Sequence, residues 1–182
     1  FRSEDQGLSW KKMSDAVAGG TGPHYYQELY TSPHEFDKLF LVDNYMQVSN
    51  DGGKTFTRMN ESEKHVDNHA IAFKKSDPNY ILVGCDGGLY ESFDKTENWK
   101  FVDNLPLTQF YKIAVDDDKP FYNIYGGTQD NNTQGAPSRT DNIHGIRNSD
   151  WFIVLGGDGH QPATEPGNPK IVYAQWQRGN LN

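Results

Sequence analysis

The chain is poor in cysteine, in long apolar runs and in clustered positive charge, and each shortage excludes something. Cys85 is the only cysteine in 182 residues, so no internal disulfide forms. That suits the cytoplasm, or a secreted protein stabilised by packing alone. No apolar stretch approaches membrane-spanning length, so no membrane insertion is expected. Seventeen Lys and Arg stand against 25 Asp and Glu, for a formal charge of −8. Without a basic cluster, binding of nucleic acid through a basic face is disfavoured. The chain begins without Met or a signal-like segment. Helical periodicity is missing. The apolar runs are short, rich in aromatic and β-branched residues, and bounded by Gly, Pro, Asn and Asp, which predicts an all-β chain.

What the chain does have is a recurring segment. Ser3, Asp5, Gly7 and Trp10 form one copy, Ser49, Asp51, Gly53 and Phe56 a second, and Ser92, Asp94 and Trp99 a third. The serines lie 46 and then 43 residues apart, a period that suits propeller blades. Asp closes a tight turn by accepting backbone N–H bonds, Gly supplies positive φ, and the aromatic opens the next strand. Thr96 replaces the glycine in the third copy, which predicts an altered turn there.

Strands are expected at 24–30, 38–42, 45–48 and 55–59, and again at 69–74, 80–83, 88–91 and 99–102. A Pro turn follows the first strand of each set and an Asp turn the third. A later set has strands at 110–115, 121–125 and 151–155, with a polar stretch from Gly126 to Asp150 in place of an Asp turn. One further strand is expected at 171–175. A propeller closes with about 4–8 blades. The chain therefore reads as a segment of a single larger β-propeller of four-stranded antiparallel blades. Approximate blades are 1–16 (partial), 17–61, 62–103, 104–156 and 157–182 (partial). The remaining blades of the same protein are the expected partners, and the segment alone is expected to fold poorly.

Further motifs are Asp67-Asn68-His69-Ala70, Gly84-Cys85-Asp86-Gly87-Gly88, Gln109-Phe110-Tyr111, Gly126-Gly127-Thr128-Gln129-Asp130-Asn131 and Gly156-Gly157-Asp158-Gly159. With the three Asp turns, they make the chain resemble the Asp-box (bacterial neuraminidase-type) repeats of large secreted bacterial proteins with sortilin-type propellers, often labelled glycosyl-hydrolase-like. The resemblance runs from about Ser3 to Leu181. It implies a multi-bladed propeller located outside the cell or in its envelope. It leaves the activity open, because members include peptide-binding receptors, scaffolds and, more distantly, xyloglucanase-type glycosidases. It also implies that the Asp boxes sit at the blade periphery, away from ligand.

In an up-and-down blade the loops alternate between two edges. The second-to-third loop and the blade-to-blade loop share the edge opposite the Asp turn. That edge collects Asp43, Asn44, Asp67, Asn68, His69, Asp86, Asn104, Gln109, Gln129, Asp130, Asn131, Asp158 and His160. Of these, His69, Gln109, Gln129, Asn131 and His160 are the candidate ligand-binding residues. Asp67, Asp86, Asp130 and Asp158 are the candidate catalytic carboxylates, since a glycosidase needs two facing acids about 5–10 Å apart. The bland reading is that these Asp residues cap turns beside glycines. The same carboxylates suit Ca²⁺, yet no loop has EF-hand spacing, so no cofactor is expected. His65, Asp67, His69 and His160 match no short zinc motif. Cys85 reads as a small buried residue. Tyr25, Tyr26, Tyr45, Tyr122, Tyr125 and Trp176 form either a sugar-stacking platform or the packing between blades. The functional expectation is a ligand-binding or scaffold module for carbohydrate or peptide. The alternative is a glycoside hydrolase whose carboxylates lie partly outside this segment.

Overall fold

A computed structural model describes residues 1–16, 28–105 and 107–182. His24, Tyr25 and Tyr26, and with them the start of the first expected strand, lie outside the described residues. The chain divides into two compact units, Phe1–Leu105 and Pro106–Asn182.

The first unit holds two four-stranded antiparallel sheets. One is β1 (Glu28–Thr31), β2 (Leu39–Val42), β3 (Gln47–Ser49) and β4 (Thr57–Arg58), and the other is β5 (Asn68–Phe73), β6 (Ile81–Cys85), β7 (Gly88–Ser92) and β8 (Lys100–Phe101). In each, neighbours in sequence are neighbours in the sheet. Alternation along the strands decides what is buried: Phe40 and Val42 on β2, and Ile81 and Val83 on β6, turn inward. With Met46, Met59, Ile71 and Trp99 they form one core. The Phe40 and Phe73 rings join the two sheets at 5.2 Å.

The Asp turns link β3 to β4 and β7 to β8. In the second copy the Ser49 hydroxyl donates to Asp51 Oδ1 at 2.8 Å and accepts the Gly53 N–H at 2.9 Å. Asp51 Oδ1 accepts the Thr55 N–H at 3.0 Å, and Oδ2 accepts the Thr55 hydroxyl at 2.7 Å. The third copy is not altered as its sequence predicts. The Thr96 N–H reaches Ser92 Oγ at 2.8 Å, and Asn98 gives Asp94 both its N–H and its side-chain amide. Thr96 accepts a φ of 82° to keep that geometry. The hydrogen bonds outweigh the steric cost that positive φ carries for a β-branched residue. In the first copy Ser9 does for Asp5 what Thr55 does for Asp51.

The second unit has one four-stranded sheet, β9 (Lys112–Val115), β10 (Asn123–Gly127), β11 (Thr133–Pro137) and β12 (Phe152–Leu155). Two short ladders follow, β13 (Ala163–Thr164) with β14 (Val172–Tyr173), and β15 (Gln175–Trp176) with β16 (Asn180–Leu181). Strand β11 lies inside the stretch that its polar composition predicts to be loop. Gly135 is the reason it fits: a Cβ there would come within 2.8 Å of the Tyr125 and Phe152 rings. Asp116, directly after β9, is buried and takes donors from Asn123 N, Asn123 Nδ2 and Tyr125 Oη at 2.7–2.9 Å. Burial and this bond push the Tyr125 phenol up to about 12.

Two outcomes are expected. Thr96→Gly relieves the positive φ and raises stability by about 1 kcal/mol in denaturant unfolding, the strain relieved less the entropy that glycine adds to the unfolded chain. Hydrogen bonds from Ser9, side chain first, hold Asp5 down at about 2 from 3.8. A lowered folded-state value stabilises above the unfolded value and is lost as pH falls through the folded one. Carboxyl-carbon NMR should therefore show Asp5 titrating near 2, with its turn loosening only below 3.8.

Candidate functional site

The second unit carries an open cavity of about 610 Å³, lined by Tyr111, Gln129, Asp158, Gly159, His160 and residues 175–179. Its floor is built where the β10–β11 loop meets the segment after β12. The Gly159 N–H donates to Thr128 O at 2.8 Å, the Asn132 N–H to Gly157 O at 3.0 Å, and the Asp130 N–H to Asp158 Oδ1 at 2.7 Å. The approach is too close for side chains. A Cβ on Gly127 would lie 2.5 Å from the His160 backbone, and one on Gly159 would lie 2.4 Å from Thr133 Oγ1 and 2.8 Å from Asn132 O. Asp130 and Asn132 sit at φ 61° and 72° to complete the loop.

This latch sets out the polar wall. The Tyr111 hydroxyl bonds the Gln129 carboxamide. The Tyr111 ring meets the His160 ring at 5.4 Å, and Gln175 Nε2 lies 3.2 Å from His160 Nδ1. Trp176 presents a partly exposed indole, and Arg178, at φ 64°, stands on the rim. Asp158 is the only carboxylate among the lining residues, and one of its oxygens holds the loop.

In the first unit the corresponding loop edge is tied together by side chains. His69 Nε2 lies 2.6 Å from Asp86 Oδ1, the Asp86 N–H donates to Asp67 O at 3.1 Å, and the Asn44 side chain bonds the Asp67 carboxylate. His65 Nδ1 is 3.9 Å from Asp67 Oδ2. Behind them Lys64 and Glu61 form a buried ion pair at 2.9 Å.

Thus Gln129, Asp158 and His160 come together at one cavity. Asp67, Asp86 and His69 form a bonded group in the first unit, and Asp130 and Asn131 belong to the latch loop of the second. Asn131 donates to Gln129 O, and Gln109 is exposed and is not among the lining residues. Trp99 is buried, Phe56 half-buried, and Trp10 is 63% exposed with its N–H on Gly7 O. Tyr45 lies under the Arg58 guanidinium at 3.4 Å, Tyr125 is buried and Tyr122 is exposed, so of the described members of that aromatic set only Trp176 lines the cavity. Burial pushes the Cys85 thiol up, opposite to what a nucleophile needs. Sequence reasoning missed Tyr111, Gln175, Gln177 and Arg178 as lining residues. The Gln109-Phe110-Tyr111 motif pointed one residue pair too early.

Asp158→Ala is expected to free the Asp130 amide and speed its hydrogen exchange at least tenfold, whereas Asp158→Asn, which keeps an acceptor, leaves it protected. Gly159→Ala should cost about 1–3 kcal/mol in unfolding experiments, because Thr133 can turn its hydroxyl aside but the Asn132 carbonyl and Gly127 Cα, at 2.8 and 2.9 Å, are backbone and cannot give way.

The family model of Sortilin-Vps10, described as sortilin, neurotensin receptor 3, matches residues 1–152. No curated protein matches the chain. Among solved structures it is similar to the GH74 enzyme of Niastella koreensis, at 13% identity and a TM-score of 0.38, over 86% of this chain and 29% of that one. It is similar to the GH74 xyloglucanase from Xanthomonas campestris at 15% identity and 0.38, over 82% and 26%. It is also similar to YCF48 bound to D1 peptide, at 14% and 0.32, over 80% and 60%. The chain thus spans less than a third of the length of either GH74 structure.

Proposed function

The chain belongs to the Sortilin-Vps10 family, and its four-stranded sheets are propeller blades; on that premise we propose that it is the ligand-binding part of a larger Asp-box propeller, with the cavity of the second unit as the binding site. Residues 17–61, 62–103 and 104–156 are assigned as blades, with 1–16 and 157–182 belonging to flanking ones. The protein acts outside the cell or in its envelope, and its further blades are this segment's partners.

The composition of the cavity wall carries this reading. Gln129, Gln175 and Gln177 each offer a donor and an acceptor, as hydroxyl groups do, and Trp176 and Tyr111 offer apolar faces. That chemistry supports a carbohydrate ligand, with ring C–H groups on the indole and hydroxyls on the carboxamides. Hydrolysis is less well supported, since it calls for two carboxyl groups across the bond. Asp158 has no second acid beside it among the lining residues. Arg178 favours one other reading, a peptide bound through a carboxylate.

The test is calorimetric titration of the chain with neutral β-glucan and xyloglucan oligosaccharides, in parallel with acidic peptides. Saccharide binding should weaken about tenfold in Trp176→Ala, and no reducing ends should be released. Binding of the peptides alone would transfer the site to the second reading, and release of reducing ends would establish the hydrolase.

A further inference from the structure

The first unit buries three charged side chains, Asp43, Glu61 and Lys64, among its described residues. Two of them are fully matched. The Lys64 ammonium has three N–H donors, and it spends them on Glu61 Oε1, His65 O and Asn68 Oδ1. Glu61 takes Lys64 and Asn68 Nδ2 on one oxygen and the Met46 N–H on the other. Asn68 is consumed as well, because its amide also donates to Asn44 O at 3.1 Å.

Asp43 is the exception. It has no exposed surface, and neither carboxylate oxygen has a hydrogen-bond partner. Its place is not loose. The Asn68 N–H donates to Asp43 O at 3.0 Å and the Asp67 N–H to Asn44 O at 2.7 Å, so the loop after β2 is pinned to the start of β5. The second unit provides the contrast, since Asp116 is also buried but collects donors on both oxygens. A buried carboxylate without donors is strongly unfavourable. A proton would remove the charge, yet it would leave the new O–H without an acceptor and the carbonyl without a donor. A cation satisfies both oxygens together and balances the surplus negative charge. Carboxylate oxygen in a chain of formal charge −8 selects a hard cation over a soft one.

We propose that Asp43 is the anchoring ligand of a calcium-class cation site inside the first unit, completed by oxygen ligands and water.

The experiment uses the chain freed of metal with chelator, then titrated with calcium chloride by calorimetry and followed by thermal melting, with sodium chloride at matched ionic strength as the control. The expected result is one calcium per chain and a melting point raised by about 5 °C at a hundredfold excess over Kd. Asp43→Asn, checked for folding by circular dichroism, should bind none and melt no lower than the metal-free parent. Absence of calcium binding by the parent chain overturns the proposal whether or not the variant folds. So does binding that persists in Asp43→Asn.

Discussion

A serine hydroxyl and an aspartate carboxylate, two residues apart, organise the sheets of the first unit. In each copy the serine oxygen gathers the N–H of the residue at positive φ, and the carboxylate gathers an N–H and a side-chain donor four residues ahead. In the two four-stranded sheets of the first unit, this clamp makes the third and fourth strands a hairpin of fixed register. The fourth strands are only two residues long, too short to hold their place by ladder bonds alone. Once that edge is committed to turn chemistry, the chemically free groups are left to the loops at the other end of each sheet.

At that other end the two units use different means to the same result. The first unit ties its loops through side chains: the Lys64–Glu61–Asn68 network below, and the His69–Asp86 and Asn44–Asp67 contacts above. The second unit ties them through backbone. Gly127 and Gly159 approach so closely that no Cβ fits, and the Asp158 carboxylate closes the latch on the Asp130 amide. The backbone latch leaves Gln129, Tyr111 and His160 to line the cavity proposed as the ligand site. It also gives Asp158 a structural duty, as the acceptor of the Asp130 amide.

Much of the fold was legible because turn chemistry is local. Ser, Asp and the aromatic at fixed offsets specify a turn whatever surrounds them, and alternating apolar residues specify the strands on either side. Two features escaped for physical reasons. The donors Ser9, Thr55 and Asn98 differ in residue type, so their common role in holding the carboxylate is hidden in the sequence, as is the tolerance of Thr96 for positive φ. Strand β11, Thr133–Pro137, lacks β-branched and aromatic repetition and is stabilised by its neighbours, with Gly135 admitting the Tyr125 and Phe152 rings. The site was legible in outline, since loop alternation brings Gln129, Asp158 and His160 to one edge. It was not legible in detail, because Gln175, Gln177 and Arg178 reach the cavity from a short ladder and turn that no periodic pattern announces.

The central claim is that ligand is met at the loop end of the sheet that lacks an Asp turn, while the Asp turns serve only to close their hairpins. Hydrogen–deuterium exchange across the whole chain, with and without a saturating oligosaccharide, tests it most directly. The account predicts slowed exchange at 129–132, 157–160 and 175–179, with residues 49–56 and 92–99 unchanged. Protection concentrated on the Asp turns, with the cavity segments unaffected, would contradict it.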